Sequence, residues 1–313
     1  MRMSDTNTSV WSPEPGLLSE GARWHEQREE LLWVDILGRR IHRATLMRDG
    51  QPDRIETVEL DRDVGVVAPA AGGGYLAAAA RAFLFVDDNG TVTELTSLTD
   101  APNGVRFNDG ACDERGRFWV GTMAYDKSPG AGALYRLELD GSISTVLTDL
   151  TIPNGIGWSP EGAVMYLNDS GTGCLYEFEV DLGTGEPGNR RTLVAFEQPG
   201  AAPDGLTVDD RGDIWVAVYG GWAVHHYSPE GELVGAVELP VAQATSCAFG
   251  GVDRGTLFVT TGREQLDAQA LAHQPDAGRV FQVAGLDTHG PGCNLYRGRL
   301  PGQGRSGSDG SVR

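Results

Sequence analysis

"DERGRFWVGTM" runs from Asp113 to Met123, and "DDRGDIWVAVY" runs from Asp209 to Tyr219. Both place an acid three residues before a glycine and follow the glycine with an apolar, aromatic run, the pattern of a tight turn feeding a strand. "SPEGAVMYLND" from Ser159 and "VDRGTLFVTTG" from Val252 have the same form, and "HEQREELLWVD" from His25 and "AAGGGYLAAAA" from Ala70 are weaker copies. The turn glycines Gly73, Gly116, Gly162, Gly212 and Gly255 fall about 43 to 50 residues apart. That spacing is the length of one four-stranded propeller blade.

Six such units, with almost no helical periodicity between them, predict an all-β chain folded as a six-bladed β-propeller. One blade shows its four strands directly, as "GLTVD", "DIWVAVY", "AVHHYS" and "ELVGAVEL". The blades are one domain, expected over residues 16–299, because each can bury its faces only against its neighbours. Residues 1–15 are expected to be an N-terminal extension, and the Gly/Ser-rich residues 300–313 a disordered tail.

Composition narrows the partners. The 313 residues carry 44 acidic against 25 basic side chains, a formal charge of −19, and no Lys/Arg cluster forms a cationic patch. Nucleic acid is therefore not an expected partner. Apolar runs such as "GYLAAAARAFLFV" are broken by Arg81, well short of the roughly 20 apolar residues that span a bilayer. The start "MRMSDTNTSVWSPEPG" has no apolar signal core, so no membrane association and a cytoplasmic location are expected. Cys112, Cys174, Cys247 and Cys293 are widely spaced, which fits reduced thiols. No heptad or apolar stripe commits the outer edges to assembly, so a monomer or weak dimer is expected.

Stepping back five residues from the first position of each turn gives Glu20, Gly65, Asn108, Asn154, Asp204 and Cys247. In a propeller this register begins the innermost strand, so these residues should ring one end of the channel. Arg106 lies two residues before Asn108 and points to the same side. Asp126, Asp169 and Tyr219 follow the second strands and should stand around the same mouth. Converging carboxylates with an amide carbonyl suit a hard cation such as Ca²⁺, Mg²⁺ or Mn²⁺, and Zn²⁺ also accepts carboxylates. The competing reading is a hydrogen-bonded plug in the channel.

At these residues the sequence resembles the senescence marker protein / gluconolactonase / regucalcin family of six-bladed propeller lactonases. The likeness runs from "SEGARW" and "LLWVDI" through "RFNDGACDERGRFWVGTM", "IPNGIGWS" and "PDGLTVDDRGDIWVAVY" to "TSCAFGG" and "QPDAGRVFQV". The resemblance implies one divalent cation held by Glu20, Asn154 and Asp204, with Arg106 and Asn108 on the substrate. Asp126 fills a sugar-contacting slot where Glu is common in the family. "SEGARW" departs from the usual "GEGP-x-W" at Ser19 and Ala22, and "YGGW" places Trp222 where some relatives have "YNGG".

The expected activity is hydrolysis of a small sugar lactone to its aldonic acid, with Asp204 as the general base. Two alternatives share the same oxygens. One is hydrolysis of another ester or an organophosphate, and the other is a non-catalytic calcium-binding regulator. Asp109 is expected to hold backbone at the strand start. His25, His42, His225, His226, His273 and His289 are too scattered for a histidine metal site. Cys247 reads as a small buried hydrophobe, and Trp33, Trp119, Trp158 and Trp215 as packing residues. No serine elbow, phosphate-binding loop or dinucleotide fingerprint is present.

Overall fold

The computed structural model describes residues 6–48 and 50–301. It is a six-bladed β-propeller of six four-stranded antiparallel sheets. The expected tail lies outside the described residues from 302 onward, while Leu300 is buried in the cluster between blades two and three. The innermost strands are Ser19–His25, Val64–Pro69, Val105–Cys112, Pro153–Trp158, Ala202–Val208 and Ala244–Gly250. They touch in ring order, with the first against the sixth.

The N-terminal stretch is more than an extension. Asn7–Val10 pairs with Phe281–Ala284 and forms the outermost strand of blade six. A closed ring needs its last blade completed, and the chain's own start supplies that strand. No sequence signal marks it, because "NTSV" lacks the turn and aromatic run of the other units.

In blades three and five the repeat turn explains why the blade forms where it does. Asp113 Oδ1 accepts from the Arg117 amide at 2.9 Å. Its Oδ2 accepts from Trp119 Nε1 at 2.8 Å. Asp209 does the same for the Asp213 amide at 2.9 Å and Trp215 Nε1 at 3.0 Å. The acid thus satisfies turn amides and an indole that packing would otherwise strand. The left-handed position is Gly116 at φ 82° and Gly212 at φ 91°, a conformation that glycine adopts without a Cβ penalty. In blade six that position is Arg254 at φ 59°, not Gly255.

Six apolar clusters hold the ring, each shared by two neighbouring blades. Trp119 and Leu134 of blade three meet Met165, Leu167 and Phe178 of blade four. Trp215 and Val224 of blade five meet Phe249, Leu257 and Phe281 of blade six. Full burial stabilises each such side chain by about 1.5–3 kcal/mol, and neither half of a cluster exists without the adjoining blade.

Every innermost strand is irregular near its start. Its pairing with the second strand slips between Glu20 and Arg23, Val64 and Val66, Phe107 and Gly110, Pro153 and Ile156, Pro203 and Leu206, and Ala244 and Ser246. A bulge re-aims side chains and leaves polar groups outside the ladder. Asn108, Asn154 and Asp204 each sit inside such a bulge, and Glu20 stands at the edge of one.

Candidate metal centre

Glu20, Asn154 and Asp204 are buried at this bulged level of the channel, only 5–6% exposed. Asn154 donates from Nδ2 to Ser170 Oγ at 3.0 Å, and its side chain lies within hydrogen-bonding reach of Asp204. Neither Asn154 Oδ1 nor Asp204 Oδ1 has a hydrogen-bond donor. Leaving a buried acceptor unmade costs about 1–3 kcal/mol.

The electrostatics point the same way. Burial first, then the charges of Asp204 and Asp109, push the Glu20 carboxyl well above the ordinary range. Burial first, then the Asp109 charge, does the same to Asp204. Glu20 and Asp204 lie close enough to share a hydrogen bond. Two orphaned oxygens among carboxylates that repel one another fit a hard cation, because a bound cation removes both the orphaning and the repulsion.

The loops that deliver these residues are tied down by other acids. Asp35 accepts from the Leu17 amide at 2.9 Å and the Leu18 amide at 3.0 Å, just ahead of Glu20. Asp169 accepts from the amides of Thr151 at 2.9 Å, Ile152 at 2.8 Å and Gly171 at 3.1 Å, just ahead of Asn154. Asp169 therefore serves the loop and does not face the mouth.

Arg106 and Asn108 lie beside the ring. Arg106 Nη1 donates to the Phe107 carbonyl at 2.8 Å and to Asn108 Oδ1 at 2.9 Å. Asn108 Nδ2 donates to the Pro153 carbonyl at 3.2 Å, bridging blades three and four. Among the described residues no acid forms an ion pair with Arg106, and burial lowers its pKa against the raising fields of Tyr125, Asp63, Glu264 and Glu20.

Asp126 is exposed, and its Oδ1 is engaged by the amide of Ser128 at 3.0 Å and its hydroxyl at 2.7 Å. The side chain after "GTMA" that shares Arg106's field is Tyr125, whose hydroxyl donates to Asp63 Oδ2 at 3.2 Å. Tyr219 donates to Glu264 Oε1 at 3.3 Å and lies in the field of Asp204. Glu264 carries no repeat signature, so the spacing of the turns does not mark it. Trp222 is partly exposed, at 44%.

Cys247 is not a ring residue. The left-handed Arg254 shifts the blade-six turn by one residue, so the matching position is Ser246, whose buried Oγ has no partner. Cys247 packs with Trp215 and Phe249, and burial pushes its thiol up to about 12.

Asp209, Asp213 and His226 also place one ligand atom each within 4.8 Å of one another. Asp209 already accepts from Arg211 N, Asp213 N, Trp215 Nε1 and Thr288 Oγ1. His226 Nε2 contacts Asp213 Oδ2 at 2.7 Å and stacks on Trp215 at 4.0 Å. These groups hold a turn together. A cavity of about 270 Å³ lies at the opposite end of the channel, lined by Arg23, Cys112, Trp158, Phe249 and Cys293 among others, and by none of the ring oxygens.

A family profile described as "SMP-30/Gluconolactonase/LRE-like region" matches residues 18–263. The chain belongs to this family. Regucalcin of Danio rerio is 36% identical over 300 residues, covering 95% of this chain and all of that protein. Human regucalcin is 34% identical over 304 residues, with the same coverage. Among solved structures, a luciferin-regenerating enzyme superposes with a TM-score of 0.86 at 28% identity, covering 94% of this chain and 100% of that one. A calcium-binding protein, regucalcin from Agrobacterium tumefaciens strain C58, superposes with a TM-score of 0.85 at 30% identity, covering 93% and 97%. A gluconolactonase of Xanthomonas campestris shares the fold, with a TM-score of 0.71 at 22% identity over 90% and 91% of the two chains. No helix among the described residues is long and apolar enough to cross a membrane.

Proposed function

We propose that the protein is a divalent-cation-dependent lactonase that opens a small polyhydroxylated lactone to its hydroxy acid. The observation that carries this reading is the pair of donorless oxygens, Asn154 Oδ1 and Asp204 Oδ1, buried beside Glu20 and near the Arg106 guanidinium, which forms no direct ion pair among the described residues. Membership in a family that includes gluconolactonases supports the substrate class. The solved relative described as a calcium-binding protein makes Ca²⁺ the first ion to try.

Glu20, Asn154 and Asp204 would hold the cation. The chemistry such an ion supplies is polarisation of an ester carbonyl and acidification of water. Arg106 binds the substrate oxygen that gains negative charge, and its burial strengthens that contact. The Asp204 carboxylate takes the proton from the attacking water and returns it to the ring oxygen as the acyl C–O bond breaks. One lactone and one water thus become one hydroxy acid. Asn108 keeps Arg106 in place, and Tyr125, Tyr219 and Glu264 present hydrogen-bonding groups to substrate hydroxyls at the rim.

The test is pH-stat hydrolysis of D-glucono-, L-arabino- and D-xylono-lactones by metal-stripped protein, with and without Ca²⁺, Mn²⁺, Mg²⁺ or Zn²⁺. Cation-dependent turnover is expected. Turnover of aryl esters or phosphotriesters with none of lactones would replace the substrate class. Tight cation binding with no turnover of any would make the protein a calcium-binding regulator.

A further inference from the structure

Arg23 is a buried cation of the channel that the proposed reaction leaves unused. It is the fifth residue of "SEGARW", follows the first bulge, and is only 7% exposed. It crosses the channel from blade one to blade three. Nη1 donates to the Ala22 carbonyl at 2.7 Å, while Nη2 donates to the Gly110 carbonyl at 2.6 Å and to Asp109 Oδ1 at 3.2 Å. Blade two, which lies between them, offers Gly65 at this level. A Cβ there would sit 2.1 Å from the Asn108 carbonyl oxygen, so a glycine is what allows blade three to come so near. On its other side Arg23 lines the far cavity. It is the floor between the two halves of the channel.

Asp109 does more than hold backbone. Its Oδ1 accepts from the Gly110 amide at 2.7 Å and from Arg23, yet its Oδ2 is buried without a donor. Its charge reaches both Glu20 and Asp204. The inner group therefore contains three acids, Glu20, Asp109 and Asp204, against Arg23. At the mouth the Glu264 charge also reaches Asp204 and Arg106 lies in the fields of Glu264 and Glu20, so this outer acid and cation offset one another. With the three acids ionised, the inner group sums to −2, which one divalent cation balances.

We infer that Arg23 is the internal counter-ion of the cation site, paired with Asp109 to set the centre's charge at −2 and so its preference for a divalent over a trivalent ion. This rests on the metal reading above. A largely buried charge is screened far less than a surface one and acts on its neighbours over several ångströms, so removing Arg23 leaves an excess negative charge at the site.

The experiment is calorimetric titration of metal-stripped protein with Ca²⁺ at pH 8.5, together with Tb³⁺ luminescence sensitised by the protein's tryptophans. Arg23→Met should raise Ca²⁺ affinity about tenfold or more and raise Tb³⁺ affinity further still. Asp109→Asn should lower both by a similar factor. The double variant restores the −2 total and should return to within about threefold of the parent, while Arg23→Lys should stay near the parent throughout. Should Arg23→Met alone fail to fold, adding it to Asp109→Asn reads the same effect, as a rise in affinity. A wild-type chain that binds no cation would overturn the metal reading itself. Cation binding by the wild type that Arg23→Met weakens, or that none of these variants moves by more than about threefold, would overturn the counter-ion assignment alone.

Discussion

Asp204 and Asp209 stand five residues apart, at opposite ends of one innermost strand, and both are buried. Asp209 has two backbone amides, an indole and a threonine hydroxyl on its two oxygens. Asp204 has an oxygen with no donor and the repulsion of Asp109 beside it. The same side chain is thus a fastener at one end of the strand and an open valence at the other. Burial alone does not distinguish a structural acid from a functional one. The count of donors does.

The largest effect should come from breaking the open end. Asp204→Asn should lower kcat/KM for a lactone by about 10² to 10⁴, measured by pH-stat at saturating cation. It should also raise the melting temperature of the metal-stripped protein, since a repelled buried charge has been removed. A fall in melting temperature would place Asp204 with the fasteners.

The fastened end should behave in the opposite sense. Asp209→Ala strands Trp215 Nε1 and two turn amides, and should destabilise the fold by about 3 kcal/mol in urea unfolding. Cation affinity of the folded fraction should remain that of the parent.

The contrast also predicts a pH dependence. Glu20 and Asp204 hold their protons to higher pH in the folded chain than in the unfolded one. Their contribution to stability is therefore full below the ordinary carboxylate range of about 4 and declines as pH rises toward the raised values. Thermal melts of metal-stripped protein between pH 5 and 8 should show this decline, and excess Ca²⁺ should flatten it. A metal-free chain whose melting point rises steadily over that range would contradict it. The smallest effect should come from Asp126→Ala, an exposed carboxylate engaged only within its own turn. Stability should stay within about 0.5 kcal/mol, and KM for a lactone should be little changed.

Much of this was legible in the sequence because the repeat turn is local. Asp113 finds Trp119 six residues later whatever the rest of the chain does, so the period, the strand starts and the channel register follow from spacing. The positions of Asn154 and Asp204 follow from that register, and the family resemblance singles out all three; in blade one the left-handed Glu29 sets the turn one residue later than the register assumes, so the register itself marks Gly21 and Glu20 rests on the resemblance. The register failed where local geometry slipped by a residue, as at Arg254, which put Cys247 in the place of Ser246. It also failed where adjacent rim residues point apart, as with Tyr125 and Asp126.

By itself, then, the sequence determined six repeating blades, their apolar faces and a ring of oxygen-bearing residues at the start of the inner strands. Tertiary structure alone decided which of those oxygens are satisfied. The Asp209 carboxylate is completed by Thr288, 79 residues away, and Asp109 meets Arg23 across 86 residues and two blade positions. The start of the chain closes the ring against Phe281–Ala284. Hydrogen bonds within a turn depend on neighbours in sequence, whereas the charge of a buried site depends on everything packed around it, and only ring closure brings those groups together.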